Sequence, residues 1–185
     1  FFFFFFFNQG LIELATSVKS WIITGGSDAG VMRLVGDAMA DCAQAVPTIG
    51  VASWGTVEHR EVLEQARGKK RPYSSTTGNG LNANHTHFIL VDNGRTVEHD
   101  QEHAYGAEIT FRALLEKEIC AKGFRGAFSS TYSPVRGVLI VVQGGPNTLK
   151  TAYEAAQANT PLVLLEGSGG NKEKRNKRER TKTED

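Results

Sequence analysis

Along this chain, apolar runs of strand length repeatedly end in a glycine turn and pass into a helical pattern. Trp21-Ile22-Ile23-Thr24 ends in Gly25-Gly26, and Val31, Leu34, Val35 and Ala38 then recur at helical spacing between Gly30 and Gln44. Thr48 to Ala52 is a second run, followed by a charged helical stretch from Glu58 to about Arg67. Phe88 to Val91 ends in Asp92-Asn93-Gly94, and the clearest helix follows from Gly106 to Lys122 with Phe111, Leu115 and Ile119 as its buried stripe. Val138 to Val142 is continuously apolar, as expected of a strand covered on both faces. It ends in Gly144-Gly145, before a helix from about Asn147 to Gln157 and a last run, Pro161 to Leu165, that ends in Gly167-Ser168-Gly169. Only residues 68–84, rich in Gly, Ser, Thr and Asn, read as a long loop. Such alternation predicts a three-layer α/β sandwich, a mainly parallel sheet with helices on both faces.

Folds of that class bind ligands outside the carboxyl ends of their strands. Here that edge is lined by glycine pairs, which let a backbone approach a ligand, and helix N-termini beside them offer N–H groups to phosphate. None of the turns matches the dinucleotide fingerprint G-x-G-x-x-G or the P-loop, which argues against a generic NAD enzyme or NTPase. In the first turn Asp28 would repel phosphate, so backbone N–H groups must do any binding; the alternative is a plain turn in which Ser27 or Asp28 caps the helix. His85 and His87, two apart at a strand entrance, are expected on one side of it. With no third ligand near in sequence, and His99 and His103 in a polar loop, a hydrogen-bonding role outweighs a metal site. Tyr105 and Arg112 open the long helix seven residues apart, about 10 Å along its axis. A ring and a guanidinium so placed can hold a nucleobase and a phosphate; the alternative is a surface tyrosine and an arginine paired with Glu108 or Glu116.

Charge and composition remove other classes. The chain carries 21 basic and 20 acidic residues, but seven of the former and four of the latter crowd into Asn171–Asp185. The remainder is slightly acidic, which argues against a nucleic-acid-binding body. No apolar stretch is long enough for a membrane span. Phe1 to Phe7 lacks the features of a signal peptide. Two cysteines, Cys42 and Cys120, make neither a disulfide framework nor a zinc cluster and suit a reducing compartment.

Six blocks carry a family resemblance: W-I-I-T-G-G-S-D-A-G-V-M at 21–32, V-A-S-W-G-T-V at 51–57, N-H-T-H-F-I-L-V-D at 84–92, Y-G-A-E-I-T-F-R at 105–112, G-G-P-N-T-L at 144–149 and T-P-L-V-L-L-E-G-S-G at 160–169. In order and over residues 19–169, they resemble the cytosolic N-terminal homology region of melastatin-type (TRPM) cation channels. That region is a Rossmann-like domain of the SLOG superfamily, whose members bind nucleotide-derived ligands. The blocks are most similar to the ADP-ribose-gated, calcium-permeable branch. The resemblance implies a non-catalytic regulatory domain on the cytosolic side of a homotetrameric plasma-membrane channel, with the rest of the channel and neighbouring subunits as partners, no cofactor, no metal and no nucleic acid. It implies ADP-ribose stacked on Tyr105 and contacted by Arg112, with Thr24, Gly25, Gly26, Gly144, Gly145, Gly167, Ser168 and Gly169 lining the cleft.

Two departures and two alternatives qualify it. The family continues G-S-G with an arginine that reaches the ligand, where this chain has Gly170. Related phosphoribohydrolases carry P-G-G-x-G-T-x-x-E, but their catalytic glutamate aligns with Thr151 and a motif glycine with Asn147, which argues against hydrolysis. A module that serves only subunit assembly is the other alternative. Finally, Phe1–Phe7 with Asn8-Gln9, and Gly170-Asn171, read as translation through intron edges, against a genuine basic tail. Residues 1–18 are thus expected to lie outside the family domain, 19–169 to form it, and 170–185 to be a charged disordered tail.

Overall fold

The computed structural model describes residues 2–66, 68–125, 132–133, 135–165 and 168. It contains two compact units, one running to Arg112 and the other from Ala113. In the first unit, α1 (Phe2–Ser17) is followed by β1 (Ile22–Thr24), α2 (Gly30–Ala40), β2 (Thr48–Ser53), a 3₁₀ turn at Trp54–Thr56, α3 (Arg60–Ala66), β3 (His87–Val91) and α4 (Gln101–Ala104). Helix α5 (Glu108–Lys122) carries the chain into the second unit, which holds β4 (Phe124–Arg125), β5 (Tyr132–Ser133), β6 (Leu139–Val141), α6 (Pro146–Gln157) and β7 (Leu162–Leu164).

Strands β1, β2 and β3 form a parallel sheet in that order, with Ile23 opposite Ile49 and Val51 opposite Ile89. The central strand is the most enclosed, and Thr48 and Val51 are wholly buried. Small side chains make up much of the core: Ala15, Val35, Ala38, Val46, Ala52, Val57 and Ala104 surround it with Ile109. α1 packs on α2. In the second unit β6 and β7 pair in parallel, Ile140 opposite Val163, with α6 against both, while β4 and β5 form a two-residue antiparallel pair. These parallel sheets and interleaved helices are the expected Rossmann-like α/β class.

The differences from the sequence reading have local causes. α2 stops at Ala40 rather than Gln44, because the chain must turn to bring the Pro47 carbonyl to the Ile22 N–H at 2.9 Å. α3 starts at Arg60 because His59 has φ +55°, which a right-handed helix cannot contain. α5 starts at Glu108, since Tyr105 is extended (φ −78°, ψ 139°) and Gly106 has φ +77°. The stripe on α5 also differs: Ile109 is its buried residue, whereas Phe111 is exposed. Leu115 and Ile119 of the expected stripe are half-buried, as are Arg112, Ala113 and Glu116, so only Phe111 departs to the exposed side. Asp100 caps the four-residue α4, placing His103 on a short helix and not in a loop. β6 is half-buried and β7 exposed; along the run at 138–142 only Val142 is buried, and Val138 is exposed.

Candidate functional site

The carboxyl ends of β1, β2 and β3 gather three segments: the loop after Thr24, the turn after Ser53, and the stretch from Asp92 into α5. The first loop is clamped by the chain at 80–85. Asp28 N–H donates to the Gly80 carbonyl (2.8 Å), Asn82 N–H to the Gly26 carbonyl (2.9 Å), and Ser27 bridges Leu81. Side chains repeat the clamp. Asn82 Nδ2 donates to Asp28 Oδ1 (2.7 Å), His85 Nδ1 lies 3.0 Å from Asn82 Oδ1, and His85 Nε2 lies 2.7 Å from Thr24 Oγ1. Thr24 Oγ1 in turn accepts the Gly26 N–H at 2.9 Å. His85 is buried and stacked on Phe88, and burial pushes its pKa down, which favours the neutral ring.

The two glycines of this loop differ. Gly26 has φ +72°, and a Cβ there would sit 2.8 Å from Gly50 Cα on β2. Its role is backbone packing. At Gly25 a Cβ would meet only the Met32 side chain, at 3.7 Å, so this half-buried residue is the one with room beside it. Next comes α2, whose N-cap is Ala29, with no side-chain cap. Neither Ser27 nor Asp28 caps the helix, so its first N–H groups are left to solvent or a ligand.

At the end of β2, Ser53 Oγ donates to Glu108 Oε2 (2.7 Å) and accepts the Ala107 N–H (3.1 Å). These bonds fasten the start of α5 to the sheet edge. Tyr105 lies just upstream on the extended segment, 39% exposed, so its ring is open to a planar partner. Arg112 lies on α5 and is half-buried, with interactions of its own. The two do not share a helix face, because Tyr105 precedes the Gly106 break; the predicted two-turn line between them is absent.

In the second unit, Gly144 (φ +142°) is packed against Thr148, where a Cβ would come within 2.6 Å, whereas Gly145, the N-cap of α6, has open space beside it. Gly145 N–H donates to Thr148 Oγ1 at 3.3 Å. Ser168 is buried. Its hydroxyl donates to the Leu165 carbonyl (2.5 Å) and accepts the Gln143 N–H (3.0 Å), tying the ends of β6 and β7 together. Gly167 and Gly169, like Gly170, lie outside the described residues. Thr151, at the position of the hydrolases' glutamate, donates its hydroxyl to the Asn147 carbonyl on α6 (3.0 Å).

His85 and His87 do not face one side. His85 sits in the turn before β3, where strand alternation does not apply, and His87 is exposed at the strand's first residue, its Nδ1 2.8 Å from Thr86 Oγ1. Among the described residues, no group of three or more His, Cys, Asp or Glu side chains is arranged to hold a metal ion.

Sequence reasoning passed over Ser53, Asn82 and Glu58. Ser53 stands at a strand's carboxyl end, where this class places ligands. Asn82 had a signal in Gly36: glycine inside a helix costs about 1 kcal/mol against alanine, and this one leaves room for the Asn82 amide. Glu58 accepts hydrogen bonds from the Ser75, Thr76 and Thr77 hydroxyls and the Thr76 and Thr77 N–H groups. Those donors hold its carboxyl down to about 2. This staple fixes the loop that carries the 80–85 clamp.

Residues 5–173 match the family model described as SLOG in TRPM, a span wider at both ends than 19–169 and including most of α1. The chain is 41% identical over 176 residues to transient receptor potential cation channel subfamily M member 2 of Rattus norvegicus, covering 88% of this chain and 11% of the relative. It is 36% identical to the subfamily M member-like 2 protein of Nematostella vectensis (88% and 11%) and 37% identical to subfamily M member 7 of Homo sapiens (88% and 9%). This chain therefore spans about a tenth of the length of these relatives. Among the described residues, no helix is long and apolar enough to cross a membrane.

Proposed function

Because the chain belongs to the family of SLOG domains found in TRPM channels, we propose that it senses ADP-ribose or a closely related nucleotide for a calcium-permeable cation channel. One observation carries this reading. The Thr24-Gly25-Gly26 loop leads into the uncapped N-terminus of α2 at the carboxyl edge of a parallel sheet. Unpaired N–H groups and the positive end of the helix dipole favour a phosphate there. Asp28, the one repulsive group in the loop, has a carboxylate oxygen engaged by the Asn82 amide.

The exposed Tyr105 ring would stack on adenine and Arg112 would meet the anionic part of the ligand. In the second unit, Gly144 and Ser168 are committed to internal contacts. The domain would do no chemistry: the residue aligned with the hydrolytic glutamate is Thr151, which offers no carboxylate. Binding energy would instead bias a conformational equilibrium shared with the rest of a tetrameric channel, whose neighbouring subunits are its partners on the cytosolic side of the membrane.

Calorimetric titration of ADP-ribose into the 185-residue chain tests the reading. Saturable one-site binding without product formation is expected. A flat titration of folded protein would refute it and leave subunit assembly as the role.

A further inference from the structure

Asn82 determines the state of His85. Its Nδ2 faces the Asp28 carboxylate, which only accepts, so its Oδ1 is the group turned to His85 and to the Asn84 N–H at 3.1 Å. An oxygen there requires a proton on His85 Nδ1. A neutral ring then has a bare Nε2, and the group 2.7 Å from it, the Thr24 hydroxyl, must donate. With its proton committed, Thr24 Oγ1 turns a lone pair to the Gly26 N–H. Both ends of the relay, Thr24 and Asp28, belong to the same five-residue loop, and its middle, Asn82 and His85, belongs to the clamp.

We infer that His85 is the positioning residue of the glycine loop: as the neutral Nδ1–H tautomer held by Asn82, it accepts a hydrogen bond from the Thr24 hydroxyl at Nε2 and thereby fixes the loop in the shape that receives the ligand's phosphates. This rests on the proposed nucleotide site for its consequence, but the relay exists in the free protein. His85 touches no ligand in this account and acts through Thr24.

Three variants of the full chain separate positioning from packing. Leucine removes both ring contacts. Glutamine places an oxygen near Nε2 and can accept from Thr24, whereas asparagine reaches Asn82 but is too short for Thr24. Nitrogen-15 NMR should show wild-type His85 protonated at Nδ1 and bare at Nε2 at neutral pH. His85→Leu and His85→Asn should speed exchange of the Gly26 amide and weaken ADP-ribose binding about tenfold, the loss expected for one well-formed hydrogen bond. His85→Gln should keep both within about threefold of wild type on the same scale. If the leucine variant does not fold, glutamine against asparagine carries the comparison.

An Nε2–H tautomer would overturn the inference. So would folded leucine or asparagine variants whose Gly26 exchange and affinity match those of the glutamine variant. If wild type binds no ADP-ribose while the tautomer and the exchange pattern hold, the nucleotide reading fails and the positioning role stands.

Discussion

Replacing Gly26 with alanine should damage the fold far more than the same change one residue earlier. At φ +72° an L-residue pays about 1–2 kcal/mol for the left-handed backbone. The added methyl would also stand 2.8 Å from Gly50 Cα and 3.2 Å from Phe88 Cε1. Phe88 can swing; the Gly50 backbone, mid-strand in the buried centre of the sheet, cannot. Overpacking of that kind costs about 1–3 kcal/mol. Together these give about 2–5 kcal/mol, a large part of the roughly 5–15 kcal/mol that holds a domain. At Gly25 the methyl meets Met32 at ordinary contact distance, so Gly25→Ala should fall within about 0.5 kcal/mol of wild type. Urea unfolding followed by fluorescence measures both, and an unchanged m-value shows that midpoint shifts report stability. Gly25→Ala should nonetheless weaken ADP-ribose binding, because its methyl enters the space beside the loop. Equal stability losses at the two positions, or Gly26→Ala within 0.5 kcal/mol of wild type, would refute the division of labour between the glycines.

Arg112→Ala should weaken ADP-ribose binding by about 1.5–3 kcal/mol. Tyr105→Ala should cost about 1–2 kcal/mol and Tyr105→Phe almost nothing; calorimetry on variants with native circular dichroism checks all three, and unchanged affinities would move the cleft elsewhere. Glu58 and Glu98 both have carboxyls near 2 against an ordinary 4.5, the former through the Ser75 and Thr77 hydroxyls and the latter through Arg60. Folded-state values lowered in this way give stability that is present above pH 4.5 and lost as pH falls toward 2. Glu58→Gln should flatten that part of an acid-unfolding profile, and an unaltered slope would show that the staple does not form. Incubation with adenosine monophosphate, cytokinin nucleotides or ADP-ribose should release no base or ribose phosphate; turnover abolished by Glu154→Ala, the nearest carboxylate after the Gly144 turn, would restore the enzyme reading.

The strand–turn–helix order was legible because long apolar periodicity survives any detail of packing. β1, β2, β3, β6, β7 and the three longer helices after them lie where the pattern placed them, within a few residues. What misled was local backbone chemistry. Y-G-A-E looks like the start of a helix, yet Gly106 in the left-handed region breaks it and detaches Tyr105 from Arg112. His59 does the same at the head of α3, where a charged stretch concealed a positive φ. The Thr24-Gly25-Gly26 loop was visible as a turn, but its support was not. His85, Asn82 and Ser53 act across 61, 54 and 55 residues of sequence, through bonds to Thr24, Asp28 and Glu108 respectively that no spacing rule reveals.

The Glu58 staple bears on how such a domain can vary in length. It closes the chain from Glu58 to Thr77 into a ring, with Tyr73 adding a second tie through its hydroxyl to the Glu58 carbonyl and the Leu81 N–H. Residues 68–72 are enclosed by that ring and largely exposed, and no strand or helix runs through them. Doubling such a loop costs only about 0.6 kcal/mol in closure entropy. Insertions at 68–72 therefore leave the far side of the ring, and the glycine loop clamped to it, in register. Evolution is free to lengthen the domain there, and a peptide tag placed between Lys69 and Arg71 should be tolerated for the same reason.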